Sequence, residues 1–316
     1  MKSESPLIVI VGPTGIGKSD LALELAARLP SEVVSADSRQ IYVGMDIGTA
    51  KVMPSEQVQV RHHLIDIVAP DQDFSLAEYQ ERAYAAITDI TRRGRWPILV
   101  GGTGQYVRAV VEGWRIPQVP PDPDLRATLF DRAEREGAAA LYARLLELDP
   151  DAGEFVEARN VRRVVRALEV CLKSGRPFSE QRGKVPPPYE ILQVGLTMER
   201  AALYARVDAR VERMIERGLV QEVRRLVAAG YDWSLPAMSS LGYSQLRGYL
   251  EGTASLDECV AAIKQATHRF IRQQYNWFRL DEPRIHWIDV SQGTPVPQAL
   301  VLVAERFEVL HGSSPN

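Results

Sequence analysis

The stretch GPTGIGKS at 12–19 follows the apolar run LIVIV and fits the spacing G-x4-G-K-S, with Gly12, Gly17, Lys18 and Ser19 at its fixed positions. That pattern holds phosphate. Glycines let successive backbone N–H groups converge on anionic oxygens, and the start of the following helix adds a favourable dipole. The lysine supplies a point charge, and the serine hydroxyl can ligate a magnesium ion. Gly12, Pro13, Thr14 and Gly15, then Ile16 and Gly17 ahead of Lys18 and Ser19, therefore form the candidate phosphate site, with Ser19 the candidate Mg2+ ligand. Most such loops serve ATP or GTP, beside a second apolar strand ending in an aspartate that steers magnesium and water. Here the best apolar strand, WPILV, runs into Gly101, Gly102 and Thr103 with no acid. Asp66 sits within LIDIV, where local structure is its expected role. The loop binds phosphate, and an ATPase reading is weakened.

Such a loop works only between a strand and a helix, and both are legible. LIVIV (7–11), EVVSAD (32–37), HHLIDIV (62–68) and WPILVGG (96–102) read as strands, while 19–29 and 75–94 have helical spacing. The second helix opens on Ser75 with Glu78 three residues on, a capping box. Strand–helix alternation predicts a parallel sheet with helices on both faces, an α/β fold. The proline-rich IPQVPPDP then breaks the pattern, and helical segments follow until GKVPPPYE, after which ILQVGLTM (191–198) returns to the sheet. The expected organisation is a P-loop α/β core over 1–121 and 189–316, carrying a helical insertion at 122–188. Beyond 198 the chain reads as mostly helical, with HGSSPN as a disordered tail.

The bulk numbers narrow the setting. The chain has 316 residues, 45% hydrophobic and 25% charged, and a net charge of −3, so composition gives no sign of a nucleic-acid partner. Cys171 and Cys259 lie far apart, which suits a reducing compartment and neither a disulfide framework nor a zinc module. No run of 18 apolar residues occurs, and the first apolar stretch is too short for a secretion signal; a cytoplasmic protein is expected. His62 and His63 have no acid or thiol at ligand spacing and read as structural. Local stripes run against the acidic total. Arg159, Arg162, Arg163 and Arg166 crowd one predicted helix with only Glu157 and Glu169 nearby, a candidate for phosphate contacts. HRFIRQQYNWFRL (268–280) interleaves basic and aromatic residues, as RNA surfaces do. It reads equally as a core helix with Phe270, Tyr275, Trp277 and Phe278 packed inward.

Taken in order, GPTGIGKS, SADSRQIYVGMDIGTAK (35–51), RHHLIDI (61–67) and LVGGTGQY (99–106) resemble the tRNA dimethylallyltransferases. PDPDLR (121–126), RRVVRALEV (162–170), YARVDARVERMIERGL (204–219), LGYSQ (241–245) and RQQYNWFR (272–279) continue the resemblance to about Asp289. It implies transfer of a dimethylallyl group from dimethylallyl diphosphate to N6 of adenosine 37, in tRNAs reading codons that begin with U. The phosphates in the loop would then be the leaving diphosphate. Asp37 would be the general base, with Thr103 near the same adenine, and Arg210 would join Lys18 on the diphosphate. Asp37, Ser38, Arg39 and Gln40 would meet the flipped base and its neighbours, and Arg126, Arg162, Arg163, Arg166, Ser244 and Gln245 would touch the anticodon stem-loop. The resemblance also implies a monomer of the bacterial form. Arg162 stands where relatives commonly carry glutamine, and Arg61 where they carry proline. A P-loop kinase of a nucleoside or other small metabolite remains an alternative, since it would share the loop, the strand-end acid and a helical lid, with the 159–166 arginines poised over ATP.

Overall fold

Apolar side chains of β1 (Ser5–Val11) alternate between two cores, as a strand buried on both faces requires. Ile8 and Ile10 pack with Leu21 and Leu25 of α1 (Lys18–Ala26), while Leu7, Val9 and Val11 face the opposite side. The structure, a computed structural model, describes residues 5–307, so the HGSSPN tail lies outside the described residues. β2 (Ser31–Ser35) follows, then a short α2 (Pro54–Gln59) and β3, which is only His62–His63. The strand expected over 62–68 stops there because Leu64 and Asp66 take left-handed backbone angles, φ 62° and 53°. Asp66 is drawn instead to the buried Lys51 ammonium, which also binds Asp46 and donates to the Tyr42 carbonyl at 2.9 Å.

α3 (Leu76–Arg92) starts on the expected capping box. The Ser75 hydroxyl accepts from the Glu78 amide at 3.1 Å, and the Glu78 carboxylate accepts from the Ser75 amide at 2.9 Å. Tyr79, Ala83, Ile87 and Ile90 recur on one face and close the second core. β4 (Trp96–Val100) ends in the GGTG loop that leads into α4 (Gly104–Val111).

Residues Glu112–Pro187 form a separate compact unit with its own core. A two-residue ribbon of β5 (Trp114–Arg115) and β6 (Gly183–Lys184) brackets three helices, α5 (Pro123–Glu136), α6 (Ala138–Leu148) and α7 (Val161–Ser174). Proline at the first position of α5 and the Asp122 carboxylate, accepting from the Leu125 amide at 3.0 Å, turn the proline-rich stretch into a helix start.

The chain re-enters the first unit with β7 (Tyr189–Thr197), followed by α8 (Arg200–Glu216), α9 (Leu219–Ala228), α10 (Arg247–Leu250) and the long α11 (Leu256–Trp277). β8 (Ile285–Asp289) and α12 (Val296–Phe307) complete it. β8 escaped the sequence reading, which expected helices here; at five residues, paired on one side only, it leaves little pattern. The six strands are all parallel in the order β3-β2-β4-β1-β7-β8, the P-loop NTPase-like arrangement. Among the described residues no helix is long and apolar enough to cross a membrane.

Candidate active site

Three loops leave the carboxyl ends of neighbouring strands β1, β2 and β4, the edge where parallel sheets bind ligands. The first is the phosphate loop. Gly15, at φ 77°, admits no side chain, because a Cβ there would lie 2.5 Å from Cγ1 of Val207 on α8. Gly17 precedes α1 in a left-handed conformation with no side-chain cap, which leaves the first helical amides for an anion. Lys18 donates to the Pro13 carbonyl at 2.8 Å. Burial in the crevice lowers its pKa to about 8, with the Asp37 charge opposing and the Arg210 charge reinforcing the shift. The Thr14 amide, expected to face phosphate with the rest of the loop, donates instead to Oε1 of Gln274 at 2.8 Å.

The second loop carries Asp37. Its Oδ1 accepts from the amides of Arg39 at 2.8 Å and Gln40 at 3.4 Å, so one oxygen holds a turn. The third loop lies beside it. The Thr103 hydroxyl accepts from the Ser38 amide at 3.0 Å and donates to the Ser38 hydroxyl at 3.3 Å. Gln40 has less freedom than its expected base contact needs. Its carboxamide accepts from Ser35 at 3.1 Å and donates to the Thr49 and Ala50 carbonyls, each at 3.4 Å.

α8 crosses above the phosphate loop and places Arg206, Arg210 and Arg213, with Arg217 just past its end, along one wall of a polar pocket of about 370 Å³, which Lys18 and Ser19 also line. Arg210 has no ion pair among the described residues, and burial lowers its pKa. A second cavity, of about 440 Å³, is walled by Val207, Val211, Met214, Leu241, Ile263 and Trp277, and opens to Ser38, Arg39 and Thr103. Thr14, Asp37, Thr49 and Arg210 line both spaces, so the two meet at the candidate base.

Three residues here escaped the sequence reading. Thr49 is presented by a turn that Glu222 holds, its buried carboxylate accepting from the amides of Asp46, Ile47 and Gly48 at 2.8–3.1 Å. Only the apolar neighbours of Glu222 in LVQEVRRLV hinted at burial. Gln274 lay within a quoted motif, but nothing marked it. The basic–aromatic stretch divides between its two readings. Phe278 is buried and Tyr275 packs on the first core, while Trp277 and Phe270 face the second cavity.

Ser244 and Gln245 line neither space. The Ser244 hydroxyl donates to the Ser240 carbonyl and Gln245 accepts from the Gly242 amide, which folds their own turn.

In the helical unit the arginines are more neutralised than their spacing implied. Glu169, fully buried, takes Arg126 at 2.8 Å and Arg166 at 2.5 Å, and Glu157 takes Arg159 at 2.6 Å. A buried carboxylate requires such partners. Arg162 and Arg163 are exposed and unpaired among the described residues, and Arg182 stacks between Phe155 and Phe178.

His63 is engaged by the buried Glu32 carboxylate at 2.7 Å, and His62 by the Val60 carbonyl. Among the described residues no cluster of three acids, histidines or cysteines could hold a metal. Ser19 is the residue of the phosphate loop whose hydroxyl could ligate a hard cation beside bound phosphate.

The fold and site together define a P-loop, NTPase-like protein whose phosphate loop opens onto a second, more apolar chamber. The chain belongs to the IPP transferase family, whose model matches residues 40–281. It is 56% identical over 303 residues to a tRNA dimethylallyltransferase of Roseiflexus castenholzii, covering 96% of this chain and 99% of that protein. It is 59% identical over 273 residues to one of Chloroflexus aurantiacus, covering 86% and 92%. The full-length tRNA isopentenylpyrophosphate transferase of Bacillus halodurans matches with 37% identity and a TM-score of 0.72, over 96% of this chain and 97% of that one. A eukaryotic dimethylallyltransferase acting on tRNA matches with 27% identity and a TM-score of 0.80, over 96% and 79%.

Proposed function

We propose that the chain transfers the dimethylallyl group of dimethylallyl diphosphate to N6 of adenosine 37 in the anticodon loop of tRNAs reading codons that begin with U. One observation carries this reading: a cationic pocket and an apolar-walled cavity meet at Asp37 and Arg210. The polar pocket takes the diphosphate and the apolar wall takes the five-carbon chain. The adenine, flipped out of its loop, enters past Ser38 and Thr103. As the allylic C–O bond breaks, charge collects on the diphosphate, and the amides from Gly15 to Ser19, Lys18 and Arg210 stabilise it where it forms. N6 attacks the allylic carbon, and its proton passes to the Asp37 carboxylate, whose Oδ2 projects free of the turn that Oδ1 holds. Thr103, fixed by Ser38, holds the base edge. Ser19 would hold a magnesium ion, which would supply further neutralising charge at the diphosphate.

Residues 122–188 act as a clamp on the anticodon stem, with Arg162 and Arg163 free to reach phosphates. The protein works as a cytoplasmic monomer. The test is one incubation of the chain with Mg2+, labelled dimethylallyl diphosphate and an unmodified anticodon stem-loop carrying A at 36–38. Label should enter the RNA and should be lost when A37 is replaced. No transfer to several such stem-loops, with ATP consumed on small metabolites, would install the kinase reading instead.

A further inference from the structure

Gln274 takes no part in the steps above, yet its carboxamide is committed at both ends to the loops that carry them. It is 3% exposed, at the C-terminal end of α11. Its Oε1 accepts from the Thr14 amide at 2.8 Å, and its Nε2 donates to the Gly102 carbonyl at 3.1 Å. Thr14 opens the phosphate loop, on the donor side; Gly102 precedes Thr103, on the acceptor side. The fit leaves no slack. A Cβ on Gly102 would lie 2.3 Å from Nε2 and 3.6 Å from the Gly12 carbonyl oxygen, so the two loops abut where the carboxamide joins them.

A buried glutamine can merely satisfy itself in a core. The anchoring of α11 argues for more. Ile271 and Phe278 already fix the helix against the two cores. One turn on, Trp277 closes against Gly104, and its carbonyl accepts from Arg108 of α4 at 2.7 Å. With the helix held by these contacts, the carboxamide is the direct link between two loops that belong to different strands. We infer that Gln274 is a positioning residue that sets the spacing between diphosphate and acceptor adenine, and so the approach of N6 to the allylic carbon. This rests on the prenyl-transfer reading.

The test uses Gln274→Met, which keeps length and apolar bulk but neither hydrogen bond, Gly102→Ala, which drives a methyl into the carboxamide, and the double variant. Small misplacements of reacting groups cost up to about 100-fold in rate. The single variants should lose about 10- to 100-fold in kcat, with KM for donor and stem-loop held within about threefold, because geometry and not ground-state binding is disturbed. The double variant should be no slower than Gln274→Met, since both remove one link. Thermal melting of each variant shows that the loss belongs to folded protein; should Gln274→Met not fold, Gly102→Ala carries the same kinetic test. Unchanged kcat, a loss confined to KM, or losses that multiply in the double variant overturn the inference. A parent chain that transfers no dimethylallyl group overturns the underlying reading, and the inference with it.

Discussion

Replacing Asp37 by asparagine isolates proton acceptance from everything else this residue does. Asparagine keeps an Oδ1 that can accept from the Arg39 and Gln40 amides, so the turn beside Thr103 persists. What disappears is the negative charge and the basic oxygen. A positioned general base contributes roughly 10²- to 10⁴-fold, equal to about 2.7–5.5 kcal/mol of the barrier, and kcat should fall by that factor. The donor responds in the opposite sense. Removing the Asp37 carboxylate takes a negative charge from beside the diphosphate pocket, a gain in net positive charge that outweighs the support Asp37 gives to the protonated Lys18 and Arg210 against burial. KM for dimethylallyl diphosphate should therefore hold or fall while kcat collapses. Single-turnover transfer to a stem-loop gives the rate, and filter binding gives the RNA affinity, expected within about threefold of the parent. A rate loss matched by an equal loss of RNA affinity would show that Asp37 positions the adenine instead. A raised donor KM would refute the electrostatic part of the argument.

The paired and unpaired arginines of the helical unit should behave differently. Replacing Arg162 and Arg163 with glutamine should weaken RNA binding and reduce its salt slope by about 1.5, with donor affinity untouched; an unchanged slope returns them to a solvated helix face. Arg126→Ala should instead destabilise that unit, by about 3 kcal/mol in a denaturant titration, because Glu169 is fully buried and would lose a partner. Glu32 offers a pH test: hydrogen bonds from Arg93, with His63 assisting, lower its carboxyl from 4.5 to about 2. A depressed acid stabilises the fold above its unfolded pKa and loses that contribution as pH falls through its folded one. Glu32→Gln should thus lower stability by roughly 3 kcal/mol at pH 7, and the gap to the parent should close between about pH 5 and pH 2.

How much of this was legible depended on how local each signal is. The phosphate loop, the strand–helix alternation and the capping box at Ser75 are set by residues within a few positions of one another, and each appears where its spacing placed it. β3 was read too long because the pull of Lys51 on Asp66 crosses fifteen residues and bends the chain off the sheet. Gln274 and Glu222 are long-range devices. Each sits in a helix whose pattern looks ordinary, and each matters through loops more than 170 residues away. The arginine helix misled in the other direction. Net charge within a window counts Glu169 once, whereas the fold draws two arginines to it from different helices.

The same local geometry explains why a loop of ATP-binding type need not serve an ATPase here. An NTPase would place its water- and magnesium-steering acid after β4, at or next to Gly101. In this fold a Cβ on Gly101 would stand 2.1 Å from the carbonyl oxygen of Ala36, and one on Gly102 would meet Gln274 at 2.3 Å. At Gly101 that neighbour is backbone, so the position cannot acquire an acid without moving the strand end that carries Asp37, and at Gly102 an added side chain would displace the Gln274 carboxamide from its two hydrogen bonds. The close approach has a use of its own. It brings Thr103 against Ser38, with the Thr103 amide donating to the Ala36 carbonyl at 3.2 Å, and so sets the acceptor edge beside the candidate base. On the prenyl-transfer reading proposed above, an acid after β4 and an adenine beside Thr103 would compete for one piece of backbone, and the glycine at 101 leaves it open to the adenine.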